Sequence, residues 1–265
     1  MWREHYAYVL ELVGPLQVPA NGQRRGVINI DRDADFAVYR YALAATSPDL
    51  TATLTDQADR LFWDGEQHGV LIAGTGQWQV EAEAARVVKR QNQLRFTVRD
   101  LSGSPNDVRI LVIGAQLYPG PPYEVPTFRW GEPWVQGVRF GPSLGDDRPA
   151  VPGNGSVEFA TRLPGDAWFE AHHLAIGVTG PATVQVLTNG VREWWRLPVH
   201  TALLGASTFT ATFGGVAGRP SGAWPFTISP PKLLPPNTVL VIRVNDLSGA
   251  DNTVRLAFRG IRRYV

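Results

Sequence analysis

Several stretches of this 265-residue chain hold residue types that could do chemistry. Gly141-Pro142-Ser143-Leu144-Gly145 spells G-x-S-x-G, the turn that presents a nucleophilic serine for acyl transfer. That turn needs a strand before it and a helix after it. Here a proline precedes the serine, and Asp146-Asp147-Arg148-Pro149 opens a helix poorly, so no nucleophile is expected at Ser143. His172-His173 is the one histidine pair. Neighbours on a strand point to opposite faces, so the two rings would need a bulge to share a metal. Asp31, Asp33 and Asp35 alternate and could gather oxygen ligands for calcium. The loop fails as an EF-hand, because Phe36 stands where glycine is needed and Ala42 where glutamate is needed. No catalytic, cofactor-binding or metal-ligating set emerges, and no cofactor is expected.

Two further groups are candidates for binding rather than catalysis. Trp194-Trp195 could present one ring to the core and one to a partner or a sugar. Phe209 and Phe213, in Thr208-Phe209-Thr210-Ala211-Thr212-Phe213, could do the same from an extended hairpin.

Composition narrows the classes. Net charge is +1 with no basic block, so no nucleic-acid partner is expected. There is no cysteine, which removes disulfides and thiolate chemistry. No apolar run approaches the ~20 residues of a membrane-spanning helix, and Met1 to Gly14 carries Arg3, Glu4 and Glu11 rather than a secretory core. Gly 27 and Pro 21 favour short strands separated by turns.

The elements that must position these residues are written twice. Leu94–Tyr118 and Leu240–Tyr264 align without a gap at a spacing of 146, with eleven identities in 25 positions. Chance gives about two. Shared residues include Asp100/Asp246, Gly103/Gly249, Asn106/Asn252 and Gly114/Gly260, which define the repeat. Leu94, Phe96 and Val98 alternate with polar neighbours, as do Val108, Ile110 and Val112 in part, the period of a half-buried strand. The polar residues between them suit side-chain-to-backbone bonds in a turn. Val80–Arg90 has helical propensity, but its counterpart Phe226–Pro236 holds prolines at 230, 231, 235 and 236. If the copies share a backbone, both are extended.

The expected architecture is therefore all-β: two tandem antiparallel β-sandwich domains related by an internal repeat. They cover residues 1–118 and 128–265, joined by a Pro-rich linker at 119–127. Val18-Pro19 and Val151-Pro152 match at a spacing of 133, so copy two carries 13 extra residues, placed around 201–222.

From Pro235 onward, Pro-Pro-Asn-Thr-Val-Leu, a strand, Asn245-Asp246-Leu247-Ser248, Asn252, Val254-Arg255, Gly260 and Tyr264 form a pattern. It resembles small jelly-roll-like structural proteins of tailed bacteriophage virions, over about 40 residues of copy two and about 25 of copy one. Copy one departs with Lys89-Arg90-Gln91-Asn92 in place of the Pro-Pro-Asn-Thr turn. The resemblance implies jelly-roll-like domains in a non-enzymatic virion component: a capsid decoration, head spike or neck/tail protein. Its partners would be other virion proteins and further copies of itself. The alternative is a carbohydrate- or receptor-binding module using Trp194, Trp195 or the 201–222 segment.

Overall fold

The computed structural model describes the chain except residues 64, 70–73, 76–77, 141–149, 206 and 209–224, and describes only the backbone at 74–75, 78–84, 139–140 and 207–208. Ser143, Phe209, Phe213 and most of the 201–222 segment thus lie outside the described residues. The chain divides into two compact units, Met1–Tyr123 and Glu124–Val265.

In the first unit the strands are β1 (Trp2–Leu12), β2 (Gln23–Asn29), β3 (Asp35–Ala45), β4 (Leu50–Asp56), β5 (Gln67–His68), β6 (Gly74–Thr75), β7 (Trp78–Val88), β8 (Gln93–Asp100) and β9 (Val108–Tyr118). They form two sheets, β1-β9-β3-β7, with the short β6 alongside β3 and β7, and β2-β8-β4-β5. The second unit holds β10 (Trp130–Phe140), β11 (Ser156–Arg162), β12 (Trp168–Val178), β13 (Ala182–Thr188), β14 (Arg192–Glu193), β15 (Val199–His200), β16 (Ser207–Thr208), β17 (Phe226–Leu234), β18 (Val239–Asp246) and β19 (Val254–Tyr264). Its sheets are β10-β19-β12-β17, with β16 also on β12, and β11-β18-β13 with β14 and β15 on β13.

Counting β5 in the first unit and the β14–β15 segment on β13 in the second as the fifth strand, and leaving out β6 and β16, the order in each unit is first-eighth-third-sixth in one sheet and second-seventh-fourth-fifth in the other. The main ladders are antiparallel. This order is the double Greek key of a jelly roll. Alternation alone is shared by many sandwiches, so the strand order adds what the sequence pattern leaves open.

Each core is built by the inward phase of these strands. In the first unit Tyr8 and Leu12 of β1, Phe36 and Val38 of β3, Leu50 and Leu54 of β4, Leu94, Phe96 and Val98 of β8, and Ile110 and Val112 of β9 pack together. The phase of β3 changes midway. A bulge between Val38 and Arg40 shifts the register, and the inward residues become Tyr41 and Leu43. β12 repeats this bulge between Ala171 and His173, at the same place in the copy.

The sixth strand bulges too. β7 pairs β3 through Arg86–Val88 and again through Val80-Glu81, skipping the residues between. β17 pairs β12 through Lys232–Leu234 and through Phe226-Thr227, so Pro230 and Pro231 fall in the gap, where no ladder hydrogen bond is needed. The alanine- and glutamate-rich stretch of the first copy is strand because this shared edge, rather than propensity, sets its conformation.

The bulges explain one shared glycine. Gly114 pairs with Val38 and Gly260 with Ala171, beside the bulged residue in each copy. A Cβ on Gly114 would lie 2.0 Å from Ala37 O, and one on Gly260 2.0 Å from Glu170 O. Backbone cannot yield there as a flexible side chain could. Gly114→Ala and Gly260→Ala are each expected to lower stability by about 1–3 kcal/mol or more, read as a fall in the urea midpoint; an unchanged midpoint would show that the bulge relaxes.

Candidate functional site

The polar residues that define the repeat fold back on the backbone. Asp100, at the end of β8, is buried and accepts from Asn21 N at 3.1 Å, Ser102 Oγ at 2.7 Å, Gly103 N at 3.0 Å and Asn106 Nδ2 at 3.3 Å. Asp246 accepts from Asn154 N at 2.9 Å, Ser248 Oγ at 2.7 Å, Gly249 N at 2.9 Å and Asn252 Nδ2 at 3.0 Å. Gly103 and Gly249 take positive φ of 75° and 77° to turn the chain round the carboxylate. Asn106 then reaches the next loop, donating to Ser47 O and accepting from Ser47 N. Asn252 does the same with Gly180. These residues hold three loops at one end of each sandwich and have no free group with which to act on a ligand.

Trp194 and Trp195 require a correction. Both are fully buried, at 0% exposure, so neither can meet a partner or a sugar. Alternation of faces holds along a strand, but both tryptophans follow β14, where the chain bends into the core. Trp194 Nε1 donates to Thr188 Oγ1 and Trp195 Nε1 to Val184 O, each at 3.0 Å. Their rings meet Phe258 and Phe226 edge-on. Trp63 of the first unit repeats the second of them, donating from Nε1 to Ala52 O at 3.2 Å and packing on Tyr41. Both pairs of positions lie 132 residues apart, so this indole belongs to the fold.

His172 is the bulged residue of β12, so the condition for the two histidines to approach is met. Their ring centroids stand 6.3 Å apart, and His172 Nε2 lies 3.3 Å from Glu170 Oε1. Among the described residues no group of three or more His, Asp or Glu side chains is placed to hold a metal ion. Asp31 accepts from Tyr8 Oη at 2.9 Å and from Gln116 Nε2 at 3.1 Å, which makes it part of a partly buried polar chain at the edge of the core.

The distinctive cluster lies at the opposite end of the second unit, where β10 begins and β19 ends. Trp130 pairs with Tyr264 across the ladder, and the rings stack at 4.0 Å and 12°. Glu132 faces Arg262 two residues further in. Tyr264 Oη donates to Glu132 Oε1 at 2.6 Å, and Arg262 Nη1 lies 3.3 Å from the same oxygen. The guanidinium also grips both oxygens of Asp166 and lies over the rings of Trp134 at 4.5 Å and Tyr264 at 5.4 Å. The hydrogen bond from Arg262 holds the Asp166 carboxyl below its usual range, and that to Glu132 pushes the Tyr264 hydroxyl up. Trp130 remains 55% exposed.

No protein-family model matches the chain, and no curated protein matches it in sequence. Among solved structures, that of Sulfolobus turreted icosahedral virus and one of the triple jelly roll and turret assembly of an archaeal virus are each 10% identical. They cover 93% of this chain with TM-scores of 0.22 and 0.21, and this chain spans 58% of their length. The PBSX exported protein XepA is 13% identical over 96% of this chain and 86% of its own, with a TM-score of 0.20. Likeness at this level carries no argument, and the jelly-roll assignment rests on the strand order itself.

The Trp130 cluster is absent from the residues singled out by sequence, although a signal for it exists. Trp130-Gly131-Glu132-Pro133-Trp134 repeats Trp2-Arg3-Glu4-His5-Tyr6 at a spacing of 128, and Asp166 repeats Asp33 at 133. A change of spacing inside each copy hides both from a search at one offset.

Burial alone would raise the pKa values of Asp100 and Asp246. The bonds from Ser102, Asn21 and Asn106 to Asp100, and from Asn154, Ser248 and Asn252 to Asp246, outweigh it and hold both carboxyls below the usual range. Their contribution is thus complete above the unfolded value of ~3.9 and is lost as pH falls towards the depressed folded values. Asp246→Asn should cost on the order of 3 kcal/mol at pH 7 and flatten the loss of stability below about pH 4. Urea titrations at pH 7, 4 and 3 would show it; parallel decline in mutant and wild type would exclude the carboxylate as the acid-sensitive group.

Proposed function

We propose that this chain is a non-catalytic structural protein of a virion: a capsid decoration, head-spike or neck/tail component of a tailed bacteriophage. It would act as a homo-oligomer through contacts with other virion proteins. The observation that carries the reading is the tandem of two complete jelly rolls whose shared polar residues are consumed in holding loops. The architecture is used for viral capsid, lectin and cupin domains alike, so the residues must choose between them. A metal-dependent enzyme needs about three converging ligands, and none converge among the described residues. A net charge of +1 and broad sheet faces suit distributed contact with other proteins rather than a phosphate backbone.

Two measurements test the reading. Light scattering of the purified chain should give a discrete trimer or larger ring, and a monomer at every concentration would count against assembly. Mass spectrometry of purified particles from the virus that encodes the chain should find it at fixed stoichiometry. Absence from those particles would reject the virion role.

A further inference from the structure

We infer that the Trp130 end of the second unit is a binding site for a neutral hexopyranose, with Trp130 as its stacking platform. This goes beyond a structural role and does not depend on it.

One face of the Trp130 indole is used by Tyr264, at 4.0 Å and 12°, which fixes its plane. The residue is nonetheless 55% exposed. A rigid aromatic plane of this kind matches the C–H face of a pyranose, which is apolar although the sugar's rim is not. The rim needs hydrogen-bonding groups close by. Glu132, with its side chain 41% exposed, and Asp166, 62% exposed, provide carboxylate oxygens at the edge of the stack. Glu132 Oε1 already takes both Tyr264 Oη and Arg262 Nη1, but Glu132 Oε2 and the lone pairs of Asp166 that Arg262 does not engage can accept from a hydroxyl. Arg262, only 12% exposed, holds both carboxylates in place from beneath. The acceptors are therefore preorganised before a ligand arrives, which lowers the ordering cost of binding.

Charge selects among ligands. Among the described residues the cluster sets two carboxylates, Glu132 and Asp166, against the one guanidinium of Arg262, and the adjacent Arg263 is held by Glu170. That balance fits a neutral sugar better than a sialyl, sulfate or phosphate group. Protein docking fits less well. A protein hot spot is an aromatic ringed by apolar residues that exclude water, with acidic residues depleted. Here the Trp130–Tyr264 stack is bordered by the ionised Glu132, Asp166 and Arg262, and Gly131, next to Trp130, adds no side chain.

The first unit supplies the contrast. Trp2 occupies the matching register, opposite Tyr118, but it is partly buried and meets Tyr123 edge-on at 6.1 Å and 74°. Gln116 stands in the place of Arg262 and binds Asp31 rather than the Asp166 counterpart Asp33. In this copy the tryptophan is packed. In the other copy it is presented.

The test uses the full chain on an array of neutral hexopyranosides and their sialylated and sulfated counterparts, followed by titration of the best ligand monitored by tryptophan fluorescence. Trp130→Ala, Trp130→Phe and Trp2→Ala are compared, with urea midpoints to show that each folds. Saturable binding to neutral sugars is expected. It should weaken about tenfold or more in W130A, the equivalent of ~1.4 kcal/mol, be partly kept in W130F and be unchanged in W2A. Absence of sugar binding by the wild type, preference for the acidic glycans, or binding that W130A leaves intact would each overturn the proposal.

Discussion

A carboxylate buried at the end of a strand must find its hydrogen bonds in the loops around it, and in this chain that requirement draws three loops together twice. Left unpaired, Asp100 or Asp246 would cost several kcal/mol. Paired, each fixes the hairpin after the seventh strand of its jelly roll and catches the loop before the second strand through Asn21 or Asn154. Asn106 and Asn252 extend the grip to the loop between the third and fourth strands. Two short bridges, Val18 to Asn106 and Val151 to Asn252, close the same end. The Greek-key order, with the last strand paired to the first, brings these loops to one end where the bonds can form.

With one end of each sandwich committed in this way, the other end is free to differ. There the first strand begins, the last strand ends and the loop after the second strand turns. In the first unit a partly buried chain of Tyr8, Asp31, Gln116 and Tyr118 fills it. In the second, Pro164 stands where Asp31 stood, and Arg262 where Gln116 stood. The guanidinium finds its acceptors in Asp166 and Glu132 instead. A network with no cation has gained a guanidinium on the same backbone.

Much of the scaffold was legible in the sequence because it is encoded twice. The repeat marked Asp100, Gly103, Asn106 and Gly114 with their partners as shared positions, and the prolines at 230 and 231 overruled the helical propensity of Val80–Arg90. Strand order was not legible, since alternation is local while pairing of β1 with β9 is a long-range event. Trp194 and Trp195 were misplaced for a related reason. Their exposure depends on a bend after a strand of two residues, which period-two reasoning does not foresee. The counterpart of Trp195, Trp63, lies in a stretch whose spacing is 132 rather than 146, so the match that would have marked it as core was out of frame.

The same shifting frame concealed Trp130, and the physical contrast between these tryptophans separates scaffold from site. Trp195, fully buried, and Trp63, partly buried, each donate Nε1 to a backbone carbonyl of the fourth strand, a role that both copies of the fold share. Trp130 gives one face to Tyr264 and leaves the rest of its surface in water. Half-exposing so large an apolar side chain forgoes on the order of 1–2 kcal/mol of burial, so its outer face adds nothing to folding. The stack with Tyr264 and the ion pairs of Arg262 set the orientation of that face, and orientation matters to a ligand rather than to the core. The duplicated jelly roll therefore divides its labour by end: a shared one that makes the fold, and a divergent one in the second copy that presents a surface.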